Sequence, residues 1–374
     1  MSQENSNFNT SAKPDVSRPI LIFRLGSLGD TILAMPCFHL IRRVYPDRKI
    51  FLLASEPISG KAAAAMTVLD GSGLCDEVIA YPTKVRNFRR LFALRQQIKS
   101  HRFEMVFHLF TNRGWLRNWR DYLFFRACGI KCIIGTPPPF RRNSITTSHP
   151  LVEQQCIGLV RRLRQIGDID VSDKAAWNLR LNAEEKETAE ILLQGSKVSH
   201  PFIAASIGTK SPINDWGDDN WKQLFELLST AHPELGLILI GSPDEFKRSE
   251  HIRRYWRGTS ANFCGKCLPR VSAGILERAA LFVGHDSGPM HLAAAAGIPV
   301  VGLFSWCNPP EEWFPGCAQW DHLKIFYPPL PGGVWKAHLR TRRSPSEGIL
   351  LTKPGPVAET CFDLLKKFAS DIRS

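Results

Sequence analysis

Ile20-Leu21-Ile22-Phe23-Arg24-Leu25-Gly26-Ser27-Leu28-Gly29-Asp30 is an apolar run of strand length followed at once by a turn with two glycines and a carboxylate. The run from Pro19 to Phe23 suits a strand buried on both faces. The glycines let the backbone turn sharply. Apolar residues at Ile32, Leu33, Pro36, Leu40, Ile41 and Val44 then predict a helix over 30–45, with Pro36 marking a kink or an early stop.

Outward from this unit the alternation continues. Strands are predicted at Ile50–Ala54, Glu77–Tyr81 and Met105–Phe110, and helices at Phe88–Ile98, Trp115–Cys128 and Leu151–Ile166. The Pro- and Arg-rich stretch 134–150 reads as a loop, and the polar, aperiodic stretch Asp168–Glu185 as an interdomain connection. The pattern then restarts, with strands at Phe202–Ile207, Leu235–Ile240, Ala280–Val283 and Val300–Phe304 and helices at Asp218–Thr230, Asp244–Tyr255 and Gly288–Ala296. A last helical stripe is formed by Val357, Cys361, Leu364, Leu365, Phe368 and Ile372. Short connections between strands and helices require parallel sheets covered on both faces. The expectation is an α/β protein: a tail at 1–17, a first doubly wound domain at 18–180, a second at 181–353, and a helix at 354–374 that packs back on the first. Ligands in such sheets bind at the carboxyl ends of the strands.

The composition narrows the classes. With 374 residues, 44% of them hydrophobic, the chain has ample material for two cores and is too apolar to be disordered. The 48 Lys and Arg against 35 Asp and Glu leave +13, which favours anionic surfaces or ligands without choosing among nucleic acid, lipid and phosphorylated small molecules. Ten irregularly spaced cysteines are too few for a disulfide scaffold and fit a reducing compartment. The polar start Met1–Ser17 lacks the apolar core of a secretory signal and reads as a disordered tail. No stretch reaches the ~20 apolar residues of a membrane span; the longest, Leu292–Phe304, is broken by Gly297 and Pro299.

Four strand-end turns carry chemistry. In Gly26-Ser27-Leu28-Gly29-Asp30 the carboxylate is either a helix cap or a general base at the cleft mouth. The spacing is not the G-x-G-x-x-G of a dinucleotide site, so hydride transfer is disfavoured even though Glu56 ends the second strand. Gly284-His285-Asp286-Ser287-Gly288-Pro289-Met290-His291 joins a strand to a helix whose free N–H groups make an anion site, with Asp286 as an organising acceptor. Gly208-Thr209-Lys210 offers a hydroxyl and a cation to a phosphate, and Gly241 to Glu245 offers an acid to a ribose hydroxyl or a plain cap. Cys264-x-x-Cys267 lacks a second pair for zinc, and Asp168-x-Asp170 lies in the connector, so no metal site is expected.

Arg24-Leu-Gly-Ser-Leu-Gly-Asp30 and Asp286-Ser-Gly-Pro-Met-His-Leu-Ala-Ala-Ala295, about 260 residues apart and each at a strand–helix junction, together resemble glycosyltransferase family nine, the ADP-heptose:lipopolysaccharide heptosyltransferases. The resemblance runs from Pro19 to the C-terminal helix. It implies a GT-B fold, two Rossmann-like domains facing across a cleft, and metal-independent, inverting transfer without a cofactor. It implies Asp30 as the base, with Gly26, Ser27 and Gly29 forming its acceptor-side loop. It implies Asp286, Ser287, Gly288, Met290 and His291 as the diphosphate loop, Glu245 as the ribose acid, and Cys267 near the adenine. Where many members carry Lys before Trp-Pro, this chain has Asn214-Asp215-Trp216-Gly217, so the phosphate lysine is either Lys210, upstream beside Thr209, or absent. Trp306–Arg343, rich in tryptophan and ending in a basic run, matches no motif.

The implied partners are an ADP-heptose donor and a lipopolysaccharide-core glycolipid acceptor bearing Kdo or heptose. The implied location is cytoplasmic, with peripheral contact at the inner face of the inner membrane. Basic runs at Arg86–Arg102, Arg113–Arg126 and Arg141–Arg142 fall in the presumed acceptor half. Two alternatives stand beside this reading: the same fold acting on another nucleotide-sugar or acceptor, and a non-catalytic protein that binds anionic surfaces. No nucleic-acid recognition motif accompanies the charge.

Overall fold

A computed structural model describes residues 17–56, 65–82, 88–111, 114–136, 154–209, 211–307, 310–329 and 345–368. The first lobe contains strands β1 (Ile20–Phe23), β2 (Ile50–Ser55), β3 (Glu77–Tyr81), β4 (Met105–His108) and β5 (Cys132–Ile134). Its helices are α1 (Leu28–Ile32), α2 (Met35–Val44), α3 (Met66–Leu69), α4 (Phe88–Ser100), α5 (Trp115–Ala127) and α6 (Gln155–Arg162). The second lobe begins with α7 (Ala183–Ser196) and continues through β6 (Phe202–Ser206), α8 (Asp218–Ala231), β7 (Gly236–Leu239), α9 (Phe246–Arg253), β8 (Ser260–Asn262) and α10 (Pro269–Leu276). It closes with β9 (Leu281–His285), α11 (Gly288–Ala295), β10 (Val300–Leu303), β11 (Leu323–Phe326), α12 (Pro345–Leu350) and α13 (Pro354–Lys367).

Both sheets are parallel, in the orders β3-β2-β1-β4-β5 and β11-β10-β9-β6-β7-β8. Each is buried on both faces because successive residues of a strand point to opposite sides. On β1, Ile20 and Ile22 enter a core that runs across both lobes, while Leu21 and Phe23 face the helices α4 and α5. On β6, Phe202 and Ala204 join the shared core, and Ile203 and Ala205 face α8. The strand order reverses between β1 and β4 and between β6 and β9. Crevices open at such reversals, beyond the strand ends. The Gly26–Asp30 turn after β1, the 207–217 loop after β6 and the Asp286–Ser287 turn after β9 therefore all lie at crevices.

Several expected elements come out differently. The single helix over 30–45 is two helices, broken at Leu33–Ala34, with Pro36 in the first turn of α2, where its missing N–H costs nothing. The connector 168–185 holds a short 3-10 turn at Lys174–Trp177 and the first residues of α7. The C-terminal helix α13 does not return to the first lobe. Its stripe Val357, Ala358, Cys361, Leu364 and Leu365 is buried in the outer core of the second lobe with Trp221, Leu224 and Phe225 of α8. There it lies beside α8 and completes the cover over β9 and β10 on that face of the second sheet. Residues 1–16 of the Met1–Ser17 tail, the 134–150 loop beyond residue 136 and much of Trp306–Arg343 lie outside the described residues.

The lobes are tied by more than the shared core. Arg270 of α10, buried, gives Nη1 to the carbonyls of Val68 and Leu179 (2.7 and 2.8 Å) and a bidentate fork to Glu185. On the other side, the Glu312 carbonyl accepts from the Gln155 N–H of α6 (3.0 Å), and Gln154 Nε2 donates to the Phe314 carbonyl (3.1 Å).

Candidate active site

The turn after β1 folds as a capping box. Asp30 Oδ2 accepts from both the N–H and the hydroxyl of Ser27 (2.7 Å each), and the Ser27 hydroxyl caps α1. Gly26 sits at φ +152° with a Cβ position only 2.6 Å from Asp30 Cβ, so a side chain there is excluded. Behind the turn lies Arg24, 3% exposed. Its Nη2 donates to the Asp30 carbonyl (2.7 Å) and approaches Oδ1 (3.3 Å), while Nη1 donates to the Leu109 carbonyl (2.7 Å). Asp30 thus caps and faces the cleft at once: an ionised carboxylate has about four lone-pair sites, and capping uses those on Oδ2.

Across the gap, Ser287 occupies the N-cap position of α11 without a side-chain capping bond, and Pro289 in the first turn has no N–H. The His291 N–H returns to the Ser287 carbonyl (3.4 Å). Gly288 and Met290 are therefore the first-turn N–H groups left to face outward, at the positive end of the helix dipole. The Met290 side chain itself is fully buried beneath β10, beside Gly302. His291 lies 3.7 Å from Asp286 through Nε2, and its buried Nδ1 and the Ser287 hydroxyl are without protein partners. Buried orphans of this kind need a partner from solvent or ligand.

The two turns meet. Ser27, Gly29 and Asp30 of the first lobe and Asp286, Ser287, Gly288, His291 and Trp313 of the second enclose a cavity of about 210 Å³. The approach is close enough to need glycine on both sides. A Cβ on Gly29 would fall 2.6 Å from His291 Cδ2, and one on Gly288 would fall 2.4 Å from Leu28 Cδ2. A cavity of this size takes a group of sugar-ring scale; pockets for whole ligands of drug size run to about 300–1,000 Å³.

The remaining candidates are not among the residues that line this cavity. Glu245 Oε2 accepts the Ser242 N–H (2.9 Å), the capping reading, and the carboxylate fills the space beside Gly208 and Gly241 at the ends of β6 and β7. The Thr209 hydroxyl donates to the Ser211 carbonyl and accepts the Ser211 N–H (3.3 Å each). Lys210 lies outside the described residues. The Cys267 thiol meets the Ser272 hydroxyl (3.2 Å) and the Cys264 thiol that of Ser249 (3.3 Å). Asp170 is turned into Ser172.

Three contributors have no role assigned from the sequence. Arg24 and His285 are visible there only as parts of motifs. Trp313 belongs to the tryptophan-rich stretch for which no pattern was available. His285, the last residue of β9, is fully buried, donates from Nδ1 to the Gly208 carbonyl (3.3 Å) and accepts the Trp216 N–H at Nε2 (3.0 Å). It fastens the 207–217 loop to the strand that leads into Asp286. Burial pushes its pKa down to about 4, so the ring that makes these two bonds is neutral. The same loop is held at Asp215, where burial is outweighed by the Arg248 fork and the carboxyl is kept below its usual range.

Comparison with known proteins bears on the fold and the family. The chain is 20% identical over 304 residues to the lipopolysaccharide core heptosyltransferase OpsX of Haemophilus influenzae, covering 79% of this chain and 81% of that one. It is 22% identical over 285 residues to lipopolysaccharide heptosyltransferase 3 of Escherichia coli, covering 74% and 79%. Among solved structures, a family 9 glycosyl transferase from Veillonella parvula superposes with a TM-score of 0.71 at 18% identity, covering 95% and 99% of the two chains. The E. coli ADP-heptose lipopolysaccharide heptosyltransferase II does so with 0.64 at 17%, covering 93% and 99%. These likenesses and the two parallel-sheet lobes give the GT-B fold. The family profile described as Glycosyltransferase family 9 (heptosyltransferase) matches residues 91–318, more than half of the chain, and the protein belongs to that family of glycosyltransferases.

Proposed function

We propose that this enzyme transfers a heptose from ADP-heptose, with inversion and without a metal ion, to an inner-core Kdo or heptose hydroxyl of a lipopolysaccharide acceptor, working at the inner face of the inner membrane. The observation that carries this reading is the shared cavity, where the Asp30 carboxylate of one lobe and the α11 N-terminus of the other line the same space. The relatives that are heptosyltransferases of lipopolysaccharide support the sugar and the acceptor class.

In this mechanism the acceptor hydroxyl, hydrogen-bonded to Asp30, attacks the anomeric carbon from the face opposite the diphosphate. The carbon–oxygen bond to the diphosphate breaks, and the acceptor proton passes to the Asp30 carboxylate. The negative charge that grows on the leaving ADP is met by the Gly288 and Met290 N–H groups, the Ser287 hydroxyl and the His291 ring. Donors already held in place cost no reorganisation during the reaction. Asp286 orients His291 rather than touching phosphate, which reconciles an acid with an anion site. Glu245 is assigned to the ribose, Cys267 to the edge of the adenine, and Thr209 and Lys210 to the phosphate side.

Replacing Asp30 by Asn tests the assignment, because the amide keeps the size but cannot take the proton. Turnover should fall by about 10²–10⁴-fold, while ADP affinity measured by calorimetry stays within a few fold. Retention of activity would remove Asp30 as base. A product with the donor's anomeric configuration would exclude single displacement, and loss of activity on chelation would exclude the metal-free scheme. A panel of nucleotide-sugars decides the donor: release of UDP rather than ADP would overturn ADP-heptose.

A further inference from the structure

Helix α5 has two apolar faces. Phe125, with Cys128 just past its end, points into the core beneath the first sheet. The opposite face presents Trp115, Leu116, Trp119 and Leu123, spaced by three and four residues and so aligned on one side. Trp115 is 68% exposed, Leu116 66% and Leu123 53%. A surface helix ordinarily turns polar residues outward, whereas here only Trp119 of the stripe is half-buried, edge-on against Tyr122. Arg95 of α4 donates to the Ala127 carbonyl (3.0 Å), which sets α4 beside α5, and one turn before it Phe92 is 58% exposed.

The charge around the stripe is mostly positive, with Arg90 of α4 paired to Glu56 (2.8 Å). Helix α4 carries Arg89, Arg90, Arg95 and Lys99 with no acid, and α5 carries Arg117, Arg120 and Arg126 against one acid. That acid, Asp121, is buried and engaged with Arg120 (2.7 Å) and with His108 of β4 (3.2 Å), which also anchors the helix to the sheet. The described parts of the first two basic runs, 88–102 and 114–126, thus belong to one surface, while Arg86, Arg113 and Arg141–Arg142 lie outside the described residues.

We infer that the outward face of α5, with Phe92 of α4, is a membrane-interface anchor whose occupant is an anionic phospholipid bilayer. Tryptophan and leucine flanked by arginine are what the headgroup boundary favours, the rings entering it and the guanidinium groups meeting lipid phosphates. The alignment with the cleft supports this occupant. Helix α5 follows β4, which is paired with β1 so that Phe23 lies opposite His108, and the Leu109 carbonyl is held by Arg24. Trp115 and Leu116 therefore stand at the same sheet edge as the Asp30 turn. A bilayer seated there would present the sugar headgroup of a glycolipid on the side where the cleft opens. This inference names the surface used by the peripheral contact proposed above and rests on that reading.

The test is co-sedimentation of the full chain with vesicles of phosphatidylglycerol and phosphatidylethanolamine, with phosphatidylcholine vesicles as the neutral arm. The wild type should bind the anionic vesicles, more weakly as salt rises, and the neutral ones at least about tenfold less. The variant Trp115→Ala/Leu116→Ser/Leu123→Ser should lose about tenfold or more of the anionic binding, yet turn over a delipidated acceptor as the wild type does. Wild-type protein that ignores anionic vesicles overturns both the anchor and the peripheral reading. A variant that binds like wild type overturns the anchor alone. A concentration-dependent dimer that the variant converts to monomer would assign the stripe to a second copy of the chain and likewise overturn the proposal. Because vesicle binding needs neither donor nor acceptor, none of these results depends on the glycosyl transfer mechanism.

Discussion

Gly29→Ala adds one methyl group at the point where the lobes meet. The position lies inside α1, where alanine is favoured over glycine by about 1 kcal/mol, so the helix itself should gain stability. The new Cβ would nevertheless fall 2.6 Å from His291 Cδ2, 3.0 Å from Nε2 and 3.3 Å from Cγ. Ordinary carbon contacts are ~3.5–4.0 Å, so the ring or the lobe must retreat by roughly 1 Å. His291 is 96% buried and cannot swing into solvent. Relief by overpacking costs about 1–3 kcal/mol. If that cost falls on assembling the closed site, kcat/KM drops by about 5- to 150-fold. The assay is ADP release under subsaturating donor, with a thermal melt in parallel. Unchanged or higher Tm with reduced kcat/KM is the expected outcome. Full activity would refute the claim that reaction takes place with α1 and α11 in this contact. A companion pair sharpens it: Gly288→Ala should impair the enzyme, and Leu28→Ala in the same chain should restore room for it and recover part of the loss.

Two further predictions concern residues that hold the site. Arg24→Met strips the guanidinium from the Asp30 and Leu109 carbonyls and from the Asp30 carboxylate, so urea denaturation should show a loss of about 3–5 kcal/mol; Arg24→Lys should recover only part of it, and a loss below ~1 kcal/mol would mean those carbonyls find other donors. His285 has a pKa depressed from 6.5 to about 4 in the folded chain, so the unfolded state binds more protons between those values and stability should fall as pH drops through that window. Comparing wild type with His285→Gln at pH 7 and pH 4.5 checks this: the variant should be less stable at neutral pH and should lose less on acidification, and parallel profiles would contradict the neutral-ring assignment.

The comparison of sequence with structure has a physical lesson. Strand–turn–helix units around Gly26–Asp30 and Asp286–His291 were legible because a buried parallel strand is a continuous apolar run and its turn needs small and capping residues, all of it local. The three-residue strands β5 and β8 were too short to show a period, and β11 is only partly buried. Helix α7 was hidden because only Ala189 and Leu193 of its fourteen residues are buried, too sparse a stripe to detect.

Local chemistry in the sequence by itself determined the α/β alternation, the two facing turns and the family they indicate. What only the tertiary structure decided is where long-range partners lie: α13 on the second lobe, Arg24 beneath Asp30, Trp313 at the cavity, His285 between two loops, and an apolar stripe on α5 left outward. An apolar or charged side chain reads the same in sequence whether it turns to the core, to the cleft or to solvent. The fold chooses among these by packing residues far apart in sequence, such as Arg270 and the Val68 carbonyl 202 positions away.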